Sequence, residues 1–337
     1  MRRMMMLSPH LRSSALAGGL AILSAGLLLG GTLRAQPGVP RTSVPSPGAE
    51  VFLVPLQGSS AGLKVGVPAN VTRRDGYDNQ PSFAPRSNAL FFTSNRGDGQ
   101  SDIYRYDFGT GLTTAVRKTA PESEYSAMTT RDSSAITVIR VEADSTQRLW
   151  QIPLGAGEPK VLFPAIKPVG YFAQADDSTW ALFVLGTPAT LQLALTGQQQ
   201  GTVIAQNIGR SLHRIPGTTR VSYVQKGSNG WYVMSLDTRT RRADTLVRTL
   251  EGSEDMAWID STTIVSGSGS QLFTWKRGAS SWTQVTDFGY AGVSAITRLA
   301  VSPNGAWLAM VAEQKSRAAA PVRSRRFDAA NPARVPR

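Results

Sequence analysis

The sequence predicts an all-β chain, a six-bladed β-propeller of four-stranded antiparallel blades whose last blade is closed by N-terminal strands. Three observations carry that expectation. From residue 49 to 312 the chain is made of short apolar runs broken by Gly, Asp, Ser, Asn and Pro, with no amphipathic helical stretch of useful length. One phrase recurs along that whole length: a large residue, a turn, then an apolar strand. The last copy of the phrase lacks the strands that follow the others, and two strands without a blade of their own stand ahead of the first copy.

Residues 1–35 are unlike the rest. Arg2, Arg3 and Arg12 lead into an apolar run from Ala15 to Leu33 that ends in Leu33-Arg34-Ala35. A charged start, an apolar middle and a small residue at the cut are the layout of a secretory signal peptide, with cleavage expected after Ala35. An uncleaved membrane anchor is the other reading of the run, and Gly18, Gly19, Gly26, Gly30 and Gly31 weaken it as a spanning helix. Residues 36–48, punctuated by Pro37, Pro40, Pro45 and Pro47, read as a linker. The expected location is the periplasm or the outside of the cell.

The strand EVFLVPLQ (50–57) has the look of a third blade strand, and PANVT (68–72) that of a fourth. The repeated phrase then appears as PSFAPRSNALFFTS (81–94), SAMTTRDSSAITVI (126–139), YFAQADDSTWALFVL (171–185), HRIPGTTRVSYV (213–224), MAWIDSTTIVSG (256–267) and LAVSPNGAWLAMV (299–311). Anchored on Phe83, Met128, Phe172, Ile215, Trp258 and Val301, the copies are 45, 44, 43, 43 and 43 residues apart. Third strands follow as DIYRYD, RLWQIPL, TLQLAL, GWYVMSLD and QLFTWKR, and a four-stranded repeat of this period is a propeller blade. After Val311 no further strand is found. The N-terminal strands supply the missing pair, which removes the open edges where the chain ends meet. Arg96-Gly97-Asp98 falls between the second and third strands of the first blade, where turn chemistry accounts for it without a recognition role. Residues 313–337, rich in Ala, Pro and Arg, read as a basic disordered tail.

Composition removes several functions. There is no cysteine, so disulfides, thiolate chemistry and cysteine lipidation are out. The net charge of +13 sits largely at the two ends, which leaves residues 36–312 nearly balanced and without the basic face a nucleic-acid binder needs. His10 lies in the expected signal peptide, so His213 stands alone in the mature chain, and no Gly-x-Ser-x-Gly elbow accompanies it. His213 is expected to be structural or at a rim. Neither a zinc set nor a calcium loop is present, and no cofactor or metal is expected.

The wording PSFAPRSNALFFTSNRGDGQSDIYRYD and LAVSPNGAWLAMV resembles the repeat of TolB-like, WD-repeat-like propellers. In that family a blade carries a Ser-Pro-Asp-Gly turn, an apolar strand, Ser-Asn-Arg with glycine, and an Asp-Ile-Tyr third strand. Ser302-Pro303-Asn304-Gly305, Ser94-Asn95-Arg96 and Asp102-Ile103-Tyr104 match it. The first and last copies carry the wording, and the four between keep only the spacing. The resemblance implies a propeller and, among periplasmic members, a non-enzymatic partner in cell-envelope assemblies. The N-terminal α/β domain of TolB is not seen in the sequence, which sets a specific Tol–Pal role aside.

Propellers bind ligands at the mouth of the central channel, and counting back from each anchor gives the residues expected there. They are Asp78, Asn79, Gln80, Glu124, Tyr125, Lys167, Arg210, Glu254, Asp255 and Arg298. A ring of mixed charge suits a peptide segment or polar ligand, so the function expected is protein or peptide binding by a monomer, without catalysis. The alternative is a hydrolase or lyase acting on envelope peptide or carbohydrate through channel carboxylates.

Overall fold

The computed structural model describes residues 48–314 apart from 59–61, 75 and 97–98. The expected signal peptide, most of the expected linker, residues 315–337 of the expected tail and the Gly97-Asp98 corner lie outside the described residues. The fold is an all-β propeller of four-stranded antiparallel blades.

In chain order the N-terminal strands are β1 (Ala49–Gln57), β2 (Lys64–Val65) and β3 (Ala69–Asn70). The next blade is β4 (Tyr77–Phe83), β5 (Ala89–Asn95), β6 (Ser101–Asp107) and β7 (Thr113–Ala115). Then come β8 (Ser123–Thr129), β9 (Ala135–Val141), β10 (Gln147–Pro153) and β11 (Lys160–Val161). They are followed by β12 (Val169–Gln174), β13 (Thr179–Val184), β14 (Thr190–Leu195) and β15 (Thr202–Gln206). After these run β16 (His213–Arg214), β17 (Val221–Gly227), β18 (Gly230–Leu236) and β19 (Ala243–Arg248). The next four are β20 (Met256–Trp258), β21 (Thr263–Ser268), β22 (Gln271–Lys276) and β23 (Thr283–Asp287). A single 3-10 turn, Phe288–Ala291, leads to β24 (Val293–Val301) and β25 (Trp307–Gln314).

Four sheets have four strands each, and the fifth has nine. In the nine-stranded sheet β24-β25-β1, with β2 and β3 against β1, meets β4-β5-β6-β7 through the single parallel pair Ala49↔Tyr77. The N-terminal strand therefore completes the sheet begun by the last two strands, antiparallel and in register from Ala49↔Glu313 to Pro55↔Trp307. Phe52 lies opposite Met310, and Val54 opposite Leu308. Glu313 and Gln314 belong to β25, so the first two residues of the stretch expected as a tail are strand. Pairing with Ala49 extends the strand beyond its apolar run.

The second strand of each unit is buried almost end to end, as in ALFFTS of β5, AITVIR of β9 and WLAMVA of β25. Such strands read as continuous apolar runs because both faces are covered by neighbouring sheets. Five of the six apolar clusters among the described residues span two sheets: Phe91 and Ile103 pack with Ile136 and Ile152, and Ile139 and Leu149 with Phe172 and Trp180. Leu191 packs with Tyr223, Val233 with Trp275, and Leu272 with Phe52 and Leu308. Val51 and Val311 finally pack against Leu90 and Phe92 across the two halves of the nine-stranded sheet, so the circle of contacts closes where β1 and β25 meet the β4–β7 blade.

The turn after each inner strand is closed by one backbone amide, at Ala84, Thr130, Ala175, Ile215, Ile259 and Ser302. Measured from those amides, the equivalents of Phe83 are Thr129, Gln174, Arg214, Trp258 and Val301. The anchors Met128 and Phe172 therefore sit one and two residues early, and Ile215 one late. The physical cause is that a large side chain does not mark a fixed place before the turn: Thr129, Gln174 and Arg214 stand where Phe83 and Trp258 do.

Candidate functional site

Four residues ahead of each turn-closing amide stand Gln80, Ser126, Tyr171, Ser211, Asp255 and Arg298, and all of them line one cavity of about 350 Å³. The inner strands are irregular at this level. Register shifts fall between Asn79 and Ser82 in β4, Tyr125 and Met128 in β8, and Thr297 and Ala300 in β24. The residue inside each shift has a left-handed backbone: Gln80 at φ 55°, Ser126 at 55° and Arg298 at 49°. Non-glycine residues adopt that conformation at a cost, so a bulge that aims them into a cavity is a feature to be explained by what they do there.

A charged network occupies one side of this belt. Arg210 holds Asp255 through Nη2–Oδ2 at 2.7 Å and Nε–Oδ1 at 3.3 Å, and its Nη1 makes an ion pair with Glu254 Oε1 at 2.9 Å. Its backbone amide donates to Glu254 Oε2 at 3.0 Å, which Lys226 also meets at 3.1 Å. A side chain on Gly209 would collide with that carboxylate, so glycine there lets Glu254 reach back to the preceding sheet. Arg298 completes the network, with Nη1 on Asp255 Oδ1 at 3.0 Å and Nη2 on the Tyr171 hydroxyl at 3.0 Å. Burial raises the Asp255 carboxyl above its usual range, and the Arg210 guanidinium works against that shift. Burial likewise raises Tyr171. It works to lower Arg210, but Asp255 and Glu254 outweigh it and hold the guanidinium protonated.

The cavity wall changes character along the strands. Beyond the belt come Phe83, Met128, Phe172, Leu212 and Trp258, with His213 and Arg214 beside them. His213 sits in this wall with its Nε2 3.0 Å from Ser211 Oγ, and burial pushes the imidazole down to about 4, so it is neutral.

Of the residues the sequence singled out, Gln80, Arg210, Asp255 and Arg298 line the cavity. Glu254 stands behind them in the network. Asp78 and Glu124 do not line it: both are buried, at 0% and 1% exposure, and paired with Arg74 at 3.0 Å and Arg140 at 3.0 Å. Asn79 and Tyr125 lie beside the bulges outside the lining, and Lys167 is exposed away from it. Sequence reasoning missed Tyr171, Ser126 and Ser211. Their common offset from the turn would have found them had the anchors been in register. Among the described residues no cluster of three or more His, Cys, Asp or Glu side chains is placed to hold a metal ion.

No protein-family model and no curated protein sequence matches the chain. Solved structures do match in shape. TolB from Acinetobacter baumannii superposes with a TM-score of 0.52 at 10% identity, over 79% of this chain and 64% of that one, so this chain spans less than two thirds of it. A TolB-type protein from Agrobacterium tumefaciens gives 0.61 at 9% identity, over 79% of this chain and 98% of that one. An oligogalacturonate lyase in complex with manganese gives 0.51 at 17%, over 74% and 80%. The fold is thus that of TolB-like propellers, and at these identities the likeness concerns the fold alone.

Proposed function

We propose that this chain is an exported, six-bladed propeller that binds a protein or peptide of the cell envelope through its central channel, without catalysing a reaction. Six blades follow from treating the nine-stranded sheet as two, since one pair of residues joins its halves. Export is supported by the charged and apolar N-terminal segment ending at Ala35.

The observation that carries the binding reading is the axial cavity, whose wall combines a polar belt on left-handed bulges with apolar side chains beyond it. Apolar area with a few fixed polar groups is the make-up of a recognition site. The enzymatic alternative fares worse, because a carboxylate acting as base or nucleophile needs a free oxygen facing its substrate. Asp255 has both oxygens engaged by Arg210 and Arg298.

Site-specific photocrosslinking tests the proposal in cells that make the protein. A photoreactive residue replacing Met128, 42% exposed in the cavity lining, is expected to give discrete protein adducts. The same probe at Val203, 51% exposed on the outer strand β15, is the comparison and is expected to give none. Equal labelling at both positions, or none at Met128, would rule the channel out as the contact surface.

A further inference from the structure

The polar belt has an excess of positive charge and of unused hydrogen-bond donors. Among the cavity-lining residues Arg210, Arg214 and Arg298 face Asp255 as the one acid, and His213 is neutral. Behind them Glu254 and Lys226 offset one another. Arg298 commits one N–H to Asp255 and one to Tyr171, which leaves guanidinium donors free. The Tyr171 hydroxyl accepts from Arg298 at 3.0 Å. An oxygen that accepts in this way has its own proton left to donate. The Ser126 hydroxyl, also in the lining, is buried and has no partner among the described residues. Asp255 offers an incoming anion little repulsion, since both its oxygens are already bound by guanidinium groups.

These donors sit within the inner strands, and Phe83, Met128, Phe172 and Leu212 follow one to three residues after the belt positions in the same wall. An anion held at the belt would therefore have an apolar environment on one side. The volume of about 350 Å³ falls at the small end of ligand pockets.

We infer that the channel recognises a carboxylate that terminates an apolar group, held by Arg298, Tyr171 and Ser126 with the apolar part against the wall beyond the belt. This rests on the channel being the binding site, and it goes further by naming the chemistry. Two sources share it: the free C-terminus of a peptide ending in apolar residues, and a small apolar carboxylic acid. Charge-assisted hydrogen bonds to arginine supply the discrimination, because an amide in place of the carboxylate keeps the shape and loses the charge.

Fluorescence anisotropy on the full chain tests this with fluorescein-labelled Ser-Gly-Ser-Ala-Leu-Phe, as the free acid and as the C-terminal amide, and with octanoate as competitor. The acid is expected to bind about tenfold tighter than the amide, the worth of one charged hydrogen bond. Arg298→Met is expected to bring the ratio close to one. Tyr171→Phe, which keeps the ring against Phe183, is expected to lower it about threefold and serves where the arginine variant fails to fold. Displacement of the acid peptide by octanoate identifies a small acid as sufficient, and its failure identifies the chain end. Equal binding of acid and amide overturns the carboxylate proposal and leaves channel binding standing. Absence of binding by both peptides overturns it too, and Met128 crosslinking then decides the broader reading separately.

Discussion

At the residue scale, Glu124 is a buried acid outside the cavity. Both its oxygens accept from Thr119 Oγ1 at 2.6 Å, and Arg140 Nε donates at 3.0 Å. Burial nonetheless pushes its carboxyl up to about 7 from an ordinary 4.5. A folded pKa above the unfolded one means that the native state holds its proton longer. The contribution to stability is complete below pH 4.5 and is lost as pH rises through 7, by on the order of 3 kcal/mol. Urea unfolding across that window should show wild-type stability falling relative to Glu124→Gln, whose own curve lacks this slope. Parallel curves would refute it. His213 runs the other way, since a depressed imidazole stabilises the fold above pH 6.5 and loses that contribution as pH falls towards 4. With His10 in the expected signal peptide, NMR of the mature protein follows one ring, and its shift should stay constant from pH 7.5 to 5. A midpoint near 6.5 would place that ring in water.

At the scale of the element, the inner strands decide what the channel presents, and sequence counting lost its place on them at the anchors. The lining position stands at the same distance from the turn-closing amide in bulged and unbulged strands alike, but Met128, Phe172 and Ile215 do not mark that amide, so an offset counted from them slips by one or two. Arg210, Asp255 and Arg298 were legible despite that slip, because a charge within a few residues of a turn draws notice wherever the count falls. Ser126 and Tyr171 carry no charge and were passed over for neighbours, Glu124 and Tyr125 among them. The third, fourth and second strands were legible for a simpler reason: their apolar runs are bounded by turn residues at both ends. The bulges also yield a test. Ser126 has φ 55°, which glycine adopts freely and a β-branched residue resists. Ser126→Gly is expected to leave the urea midpoint unchanged or raised, and Ser126→Val to cost about 1–3 kcal/mol. Two variants of equal stability would mean that the bulge relaxes without penalty.

At the scale of the whole molecule, closure rests on β1, the strand farthest in sequence from its partner. The sequence made this pairing readable because the last repeat was short by the strands that 49–72 could supply. What it could not supply was the identity of the facing residues, which depends on the register that Phe52↔Met310 fixes. Phe52 is 1% exposed and belongs to the cluster holding Val265, Leu272 and Leu308, so it ties the closing sheet to the one before it in sequence. Its loss leaves a cavity between two sheets and also loosens the strand that joins the ends. Phe52→Ala is expected to cost about 3–5 kcal/mol. Because each sheet is covered by its two neighbours, a gap at the seam exposes the first and last sheets together, and unfolding should stay cooperative. With Trp307→Phe in both proteins, which removes the tryptophan paired with Pro55 at the seam, tryptophan fluorescence reports on residues outside the closing sheet, Trp180, Trp258 and Trp275 among them, and far-UV circular dichroism reports on all strands. In the variant both probes should lose signal at the same lowered temperature. A circular dichroism transition that precedes the fluorescence change would instead mean that the seam opens alone, and that the remaining sheets hold without it.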